Sequence, residues 1–155
     1  MSSAKERAVD LFKQGYNCSQ SVFGAFYKEC GIDFEKAIKL SSSFGGGMGR
    51  LREVCGTVSG MFLVAGMLYG YTDPNNKDSK TEHYKRIQEL AESFKEKNGS
   101  IVCRELLGLE VKSESYVPED RTTEYYKKRP CVELVGDAAE IIEQYINDWR
   151  YKNEH

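Results

Sequence analysis

The sequence has little of what several common chemistries need. It contains two histidines, His83 and His155, three prolines, at 74, 118 and 130, and one tryptophan, Trp149. His83 falls on the polar face of an expected helix and His155 is the last residue. Both read as solvated, so a histidine-centred catalytic site is not indicated. Charge of one sign is also lacking: 22 Lys and Arg stand against 24 Asp and Glu, a formal net charge of −2. Without a basic excess to neutralise phosphates, nucleic acid is not an expected partner. The short run Lys127-Lys128-Arg129 reads as a solvated loop. No Cys-x-x-Cys and no Cys-x-x-Cys-His occurs, which counts against a thioredoxin-like motif and against covalent haem attachment. Zinc-ribbon and ferredoxin spacings are absent too. Nowhere is strict alternation sustained, so no sheet is expected.

The first residues, Met1-Ser2-Ser3-Ala4-Lys5-Glu6-Arg7, place charges where a secretory signal needs an apolar core. The expectation is a cytoplasmic protein in a reducing compartment. Its five cysteines, Cys18, Cys30, Cys55, Cys103 and Cys131, are then free, catalytic or metal-bound rather than a disulfide framework. The odd count agrees, because five cannot all pair within one chain.

What is present is helical periodicity. At 155 residues, 40% hydrophobic and 30% charged, the chain suits a single domain over residues 1–155. The reading is all-α: a compact helical bundle around a buried glycine-rich central helix. Helices are expected over Ser3–Gln14, Asn17–Gly31, Asp33–Leu40, Val54–Tyr71, Ser79–Lys97, Ser100–Leu107 and Pro130–Trp149. Tyr84, Ile87, Leu90, Ala91 and Phe94 share the inward face of the fifth. Val132, Val135, Ala139, Ile142, Ile146 and Trp149 form a seam on the last. Residues 109–129 are polar and poorly periodic, which predicts some helix or a lid.

The run from Val54 to Tyr71 is uncharged, but it holds Thr57, Ser59 and four glycines between charged flanks. It reads as a buried helix and not as a membrane span. Gly56, Gly60, Gly66 and Gly70 predict close backbone approach on two sides, from neighbouring helices or from a twin in a homodimer. Ahead of it, Ser41 to Gly49 reads as a flexible loop, a lid or an anion nest. A nucleotide site is not supported, because no strand precedes the loop and no Gly-Lys-Ser/Thr follows.

Cys18, Cys55, Cys103 and Cys131 are scattered, yet each is expected in or near the first turn of a helix. Unpaired N–H groups and partial positive charge there favour a thiolate, the form that attacks and ligates. Arg50, Arg52 and Arg104 add to the effect, whereas Cys30 lies on an apolar stripe and reads as core. For Cys55 the helix end and arginines are expected to outweigh desolvation and lower its pKa. Three functions follow. One is thiol–disulfide or electron-transfer chemistry, with Cys55 attacking, Cys18 resolving and a redox partner protein. A second is a metal or iron–sulfur module held by Cys18, Cys55, Cys103 and Cys131. The third is a non-catalytic helical interaction protein.

These residues resemble the redox-active protein family named for the pattern C…GCAxxG…C…C, from about Ala4 to Tyr145. Cys18 matches the first cysteine, Cys55-Gly56-Thr57-Val58-Ser59-Gly60 the central motif, and Cys103 and Cys131 the last two. The central motif reads Cys-Gly-Thr where the pattern reads Gly-Cys-Ala, and Cys30 lies outside it. The resemblance implies redox or metal-linked thiol chemistry in a small cytoplasmic protein, with no substrate named.

Overall fold

The computed structural model of the chain describes residues 2–108 and 115–154. Among the described residues the right-handed α-helices are α1 (Ala4–Lys13), α2 (Cys18–Gly24), α3 (Phe34–Ser41), α4 (Gly56–Tyr69), α5 (Lys77–Asn98), α6 (Cys103–Leu106), α7 (Thr123–Lys128) and α8 (Cys131–Glu154). The all-helical fold expected from periodicity is the one formed, and no strand occurs among the described residues beyond an isolated bridge. No helix there is long and apolar enough to cross a membrane.

Polar caps set most helix starts. Ser3 accepts the Glu6 N–H at 3.1 Å, Asp33 the Lys36 N–H at 2.8 Å, and Asn76 the Ser79 N–H at 3.0 Å. Asn17 and Gln20 form a reciprocal capping box at the start of α2. That helix stops at Gly24, short of the expected Gly31. Phe26 and Tyr27 donate to carbonyls three residues back, which tightens the chain into turns. Ser100 does not cap a helix as expected. Its hydroxyl accepts from the Val102 N–H and donates to Glu105, and α6 starts later, at Cys103.

The core is built on α4, which packs against α2, α5 and α8, while α1 lies along α8. Phe12, Phe23, Phe26, Met61, Phe94 and Ile142 are fully buried there. Gly60 sits against the Ser19 carbonyl oxygen of α2, where an added Cβ would come within 2.9 Å. Among the described residues, close approach occurs on this side only. Gly66 meets nothing within 4 Å and Met67 is half exposed, so the expected second contact face is open. The seam of α8 buries Val135, Ala139, Ile142 and Ile146, while Trp149 reaches the surface against Tyr69.

Two expectations for α5 are corrected. Tyr84 is exposed with its ring edge-on to Tyr71, and His83 is buried rather than solvated. The inward stripe runs through His83, Arg86, Leu90 and Phe94. Arg86 anchors it, donating to the Tyr145 hydroxyl at 2.8 Å and the Tyr69 carbonyl at 3.3 Å, 2.9 Å from His83 Nδ1. These bonds, with the Tyr69 ring below the guanidinium, make an inward arginine tolerable. Burial and the Arg86 charge lower the His83 pKa.

The close seat of α2 on α4 leaves one polar group stranded: among the described residues, Ser19 Oγ is buried with no partner. An unsatisfied buried hydroxyl costs about 1–3 kcal/mol. Ser19→Ala is therefore expected to stabilise the protein by about 1 kcal/mol, or about 2–4 °C in the melting midpoint. A lower midpoint by calorimetry would show that the hydroxyl has a partner in solution.

Candidate active site

Three glycines shape the approach to the site. Ser42–Phe44 form a 3-10 turn, after which Gly46, Gly47, Met48, Gly49 and Arg50 take φ values of 68, 68, 71, 62 and 70°. The result is a left-handed turn, closed by Gly49 N–H donating to the Gly45 carbonyl at 2.9 Å. Arg52 and Glu53 donate back to Gly46 and Gly47 at 3.3 and 3.0 Å. Glycine adopts this conformation freely, whereas Met48, Arg50 and Arg52 do so at about 1–2 kcal/mol each. At Gly47 an added Cβ would lie 2.6 Å from Cys103 Cβ. The expected flexible loop is thus a hydrogen-bonded turn pressed onto a thiol-bearing residue.

The chain then forms the isolated antiparallel bridge between Val54 and Val102. Cys55 N–H donates to the Ile101 carbonyl at 2.8 Å and Cys103 N–H to the Glu53 carbonyl at 2.5 Å. The bridge brings Cys55, the N-cap of α4, beside Cys103, the first residue of α6. Cys18 opens α2, where its Cβ lies 3.1 Å from a Cβ placed on Gly56, and Asn17 ties that end to the Ser42 carbonyl at 3.1 Å. Cys131 opens α8 directly after Pro130, whose carbonyl accepts from Leu134. Pro130 was expected inside the first turn and stands one residue before it.

All four cysteines therefore begin helices, as their local settings predict, and all four line one cavity of about 260 Å³. Cys30 is buried elsewhere, in the core as expected. Four arginines share the wall: Arg50, Arg52, Arg121 and Arg129. Arg52 donates to Cys103 Sγ at 3.5 Å. Arg121 donates to the Phe12 and Tyr16 carbonyls at 2.8 and 2.9 Å, and Arg129 to Glu119 at 2.5 Å. Arg104 turns away, to Glu53 and the Arg52 carbonyl. Arg129 is thus tied into the wall and not part of a solvated run. The expected helical piece within 109–129 is α7, capped by Thr122, while residues 109–114 lie outside the described part of the chain.

The thiols are electrostatically unlike. A hydrogen bond from Cys18 lowers the pKa of Cys131, with Arg129, Arg52 and Arg121 acting in the same direction against burial. The N-terminal end of the 24-residue α8 adds to this. The same bond raises Cys18 well above its ordinary value, and burial adds to it. Burial pushes Cys55 up to about 12, although Thr57 Oγ1 lies 3.1 Å from its sulfur and pulls the other way. Cys103 is raised by burial and partly relieved by Arg52. The expected acidity of Cys55 is therefore reversed. Its arginine, Arg52, faces Cys103 instead, and the ordered glycine turn makes the dry wall that a flexible loop would not.

Arg121 and Tyr125 were not singled out from the sequence, and Arg129 was named only as part of a solvated run. They come from the aperiodic stretch, Arg121 just ahead of α7, Tyr125 within it and Arg129 at its C-cap.

For a metal, the donor set matters. Among the described residues, no three His, Cys, Asp or Glu side chains converge as metal ligands do. One sulfur of the cavity, Cys103 Sγ, takes a guanidinium N–H from Arg52. This arrangement does not fit a tetrahedral thiolate centre, and no step is derived through one. No curated protein and no solved structure matches the chain. The family model described as "Putative redox-active protein (C_GCAxxG_C_C)" matches residues 16–145, which contain all four cavity cysteines and the start of each helix that carries one, and the chain belongs to that family.

Proposed function

We propose that the protein carries out thiol–disulfide exchange, with Cys131 as the attacking thiol and Cys18 as the resolving one. The observation that carries this is that Cys18 and Cys131 open α2 and α8 on the wall of one cavity, where Cys131 is lowered by its neighbours and Cys18 is raised. The Cys131 thiolate attacks one sulfur of a substrate disulfide. A mixed disulfide forms and the first substrate thiolate leaves, taking a proton from solvent. Cys18 is held protonated by the neighbouring Cys131 and by burial. The first and larger of these causes is removed once Cys131 is in the mixed disulfide. Cys18 then loses its proton, attacks Cys131 Sγ and expels the second thiolate. The substrate gains two electrons and two protons, and the protein is left with one disulfide.

Redox equilibration against dithiothreitol, read by alkylation and mass, tests this. A single two-electron couple is expected in the native protein and in Cys30→Ser, and its loss in Cys18→Ser and Cys131→Ser. A couple that survives in both of the latter would overturn the assignment. A second expected result is that Cys18→Ala removes the hydrogen bond that lowers Cys131. The pH profile of Cys131 alkylation should move to higher pH, with less thiolate at neutral pH. An unmoved profile would assign the acidity to the arginines alone.

The homodimer belongs to this reading as well. The open end of α4, with Gly66 clear of neighbours and Met67 half exposed, supports it. A monomeric mass in sedimentation at micromolar concentration would remove it.

A further inference from the structure

The thiols are inside the molecule. Cys55, Cys103 and Cys131 are 4, 6 and 7% exposed, and Cys18 is half-buried. Exchange needs the attacking thiolate to touch a sulfur of the substrate. The cavity holds about 260 Å³, just under the lower bound of about 300 Å³ for ordinary ligand pockets. Anything larger than a small reagent therefore reaches Cys131 only if part of the wall gives way.

Most of the wall is firm. The starts of α2, α4, α6 and α8 carry it, together with the hydrogen-bonded glycine turn. One stretch differs. Residues 115–120 form neither helix nor strand, and all six are exposed. Tyr116, Pro118 and Glu119 nonetheless line the cavity. Hydrogen bonds along the stretch are local: Val117 N–H donates to Ser115 Oγ at 3.3 Å and Thr122 N–H to the Asp120 carbonyl at 3.0 Å. A segment that buries so little apolar surface opens locally at small cost.

Its two ends are held differently. At the C-terminal end Arg121 donates to the Phe12 and Tyr16 carbonyls, with its guanidinium 4.1 Å from the centroid of the fully buried Phe12 ring. The other ties are polar and close to solvent. Arg50 Nε donates to the Ser115 carbonyl at 2.6 Å, and the Glu119 carboxylate lies 2.5 Å from Arg129 and 4.0 Å from Arg50. The Glu119 side chain is 39% exposed, and ion pairs so open to water hold weakly. Arg50 and Arg129 both have further interactions, so letting Glu119 go strands neither guanidinium.

We propose that residues 115–120 are a strap that swings off the thiol cavity to admit substrate, with Arg121 as its fixed anchor and Glu119 as its latch. The proposal rests on the thiol-exchange reading above for what passes through the opening. The opening itself is independent of which sulfurs pair.

Two reagents with the same reactive group and different bulk test it: N-ethylmaleimide and a polyethylene glycol maleimide. Each rate at Cys131 is divided by the rate of the same reagent with a free small thiol. Unreacted Cys131 is counted by a second, isotope-labelled alkylation after unfolding. In the native protein the bulky reagent should be at least tenfold slower after this correction. Glu119→Ala should narrow that gap at least threefold, and high salt should narrow it in the native protein. The gap is the readout, because a change in thiolate fraction alters both rates alike. Glu124→Ala removes the same charge from the exposed face of α7 and should leave the gap as it is. No gap in the native protein, a gap that neither Glu119→Ala nor salt narrows, or equal narrowing by Glu124→Ala would overturn the strap. If a Cys18–Cys131 bridge still formed in those cases, the exchange reading would stand. A gap that responds as expected without that bridge would keep the strap and remove the exchange.

Discussion

At neutral pH, Cys131 should react with iodoacetamide at least tenfold faster than Cys55 in the native protein. With its pKa pushed up to about 12, Cys55 is thiolate in about one molecule in 10⁵ at pH 7, since the gap is about five units. Cys131 lies below its ordinary value of 9.0, so more than about one molecule in 100 is thiolate. The thiolate fractions therefore differ by more than about 10³. Intrinsic nucleophilicity works against this, because it rises with pKa at a Brønsted slope of about 0.4–0.5. Over three units that returns a factor of about 20, leaving a net advantage on the order of 50-fold to Cys131. Burial does not reverse the order, since the two residues are similarly exposed. Time-resolved peptide mapping of the labelled protein gives both rates. Faster labelling of Cys55 would restore it as the attacking thiol.

Gly60→Leu should be among the most destabilising single changes on α4. A Cβ at this position would sit 2.9 Å from the Ser19 carbonyl oxygen and 3.0 Å from Val22 Cβ. Neither is the free end of a flexible side chain, so α2 itself must move. Overpacking of this kind costs about 1–3 kcal/mol. For a chain of 155 residues, 3 kcal/mol corresponds to about 6–12 °C in the melting midpoint. Gly66→Leu on the same helix meets nothing within 4 Å in the single chain and makes the control, measured where the protein is monomeric. It should change the midpoint by less than 1 kcal/mol equivalent, since Leu is also the better helix former. A Gly60→Leu protein melting with the wild type would mean that α2 and α4 are not in close contact. A shift of α2 also displaces Cys18, so the same variant should raise the pKa of Cys131 if it folds.

Much of this was legible in the residues. Ser3, Asn17, Asp33 and Asn76 are caps that act within one turn, and local patterns of that kind can be read without knowing the fold. The placement of four cysteines at helix starts is local in the same sense. Their convergence is not, because it depends on a single bridge between Val54 and Val102 and on the crossing of α2 over Gly56. The reversal at Cys55 has a similar cause. Helix end and arginines are visible in sequence, but burial is a property of the assembled wall. His83 was misread because Arg86, three residues on, is held inward by Tyr145 from a distant helix. The turn at Gly46–Arg50 was read as loose because glycine signals permission, not order. Whether a glycine run is free or held depends on the carbonyls that it meets.

The most direct test of the account is which two sulfurs join first. Reduced protein is treated briefly with bis(2-hydroxyethyl) disulfide, quenched in acid and mapped by peptide mass spectrometry. The account predicts an intramolecular Cys18–Cys131 bridge as the first species, with Cys30, Cys55 and Cys103 still reduced. A first bridge that includes Cys30, or one that joins Cys55 to Cys103 while Cys18 and Cys131 stay free, would contradict it.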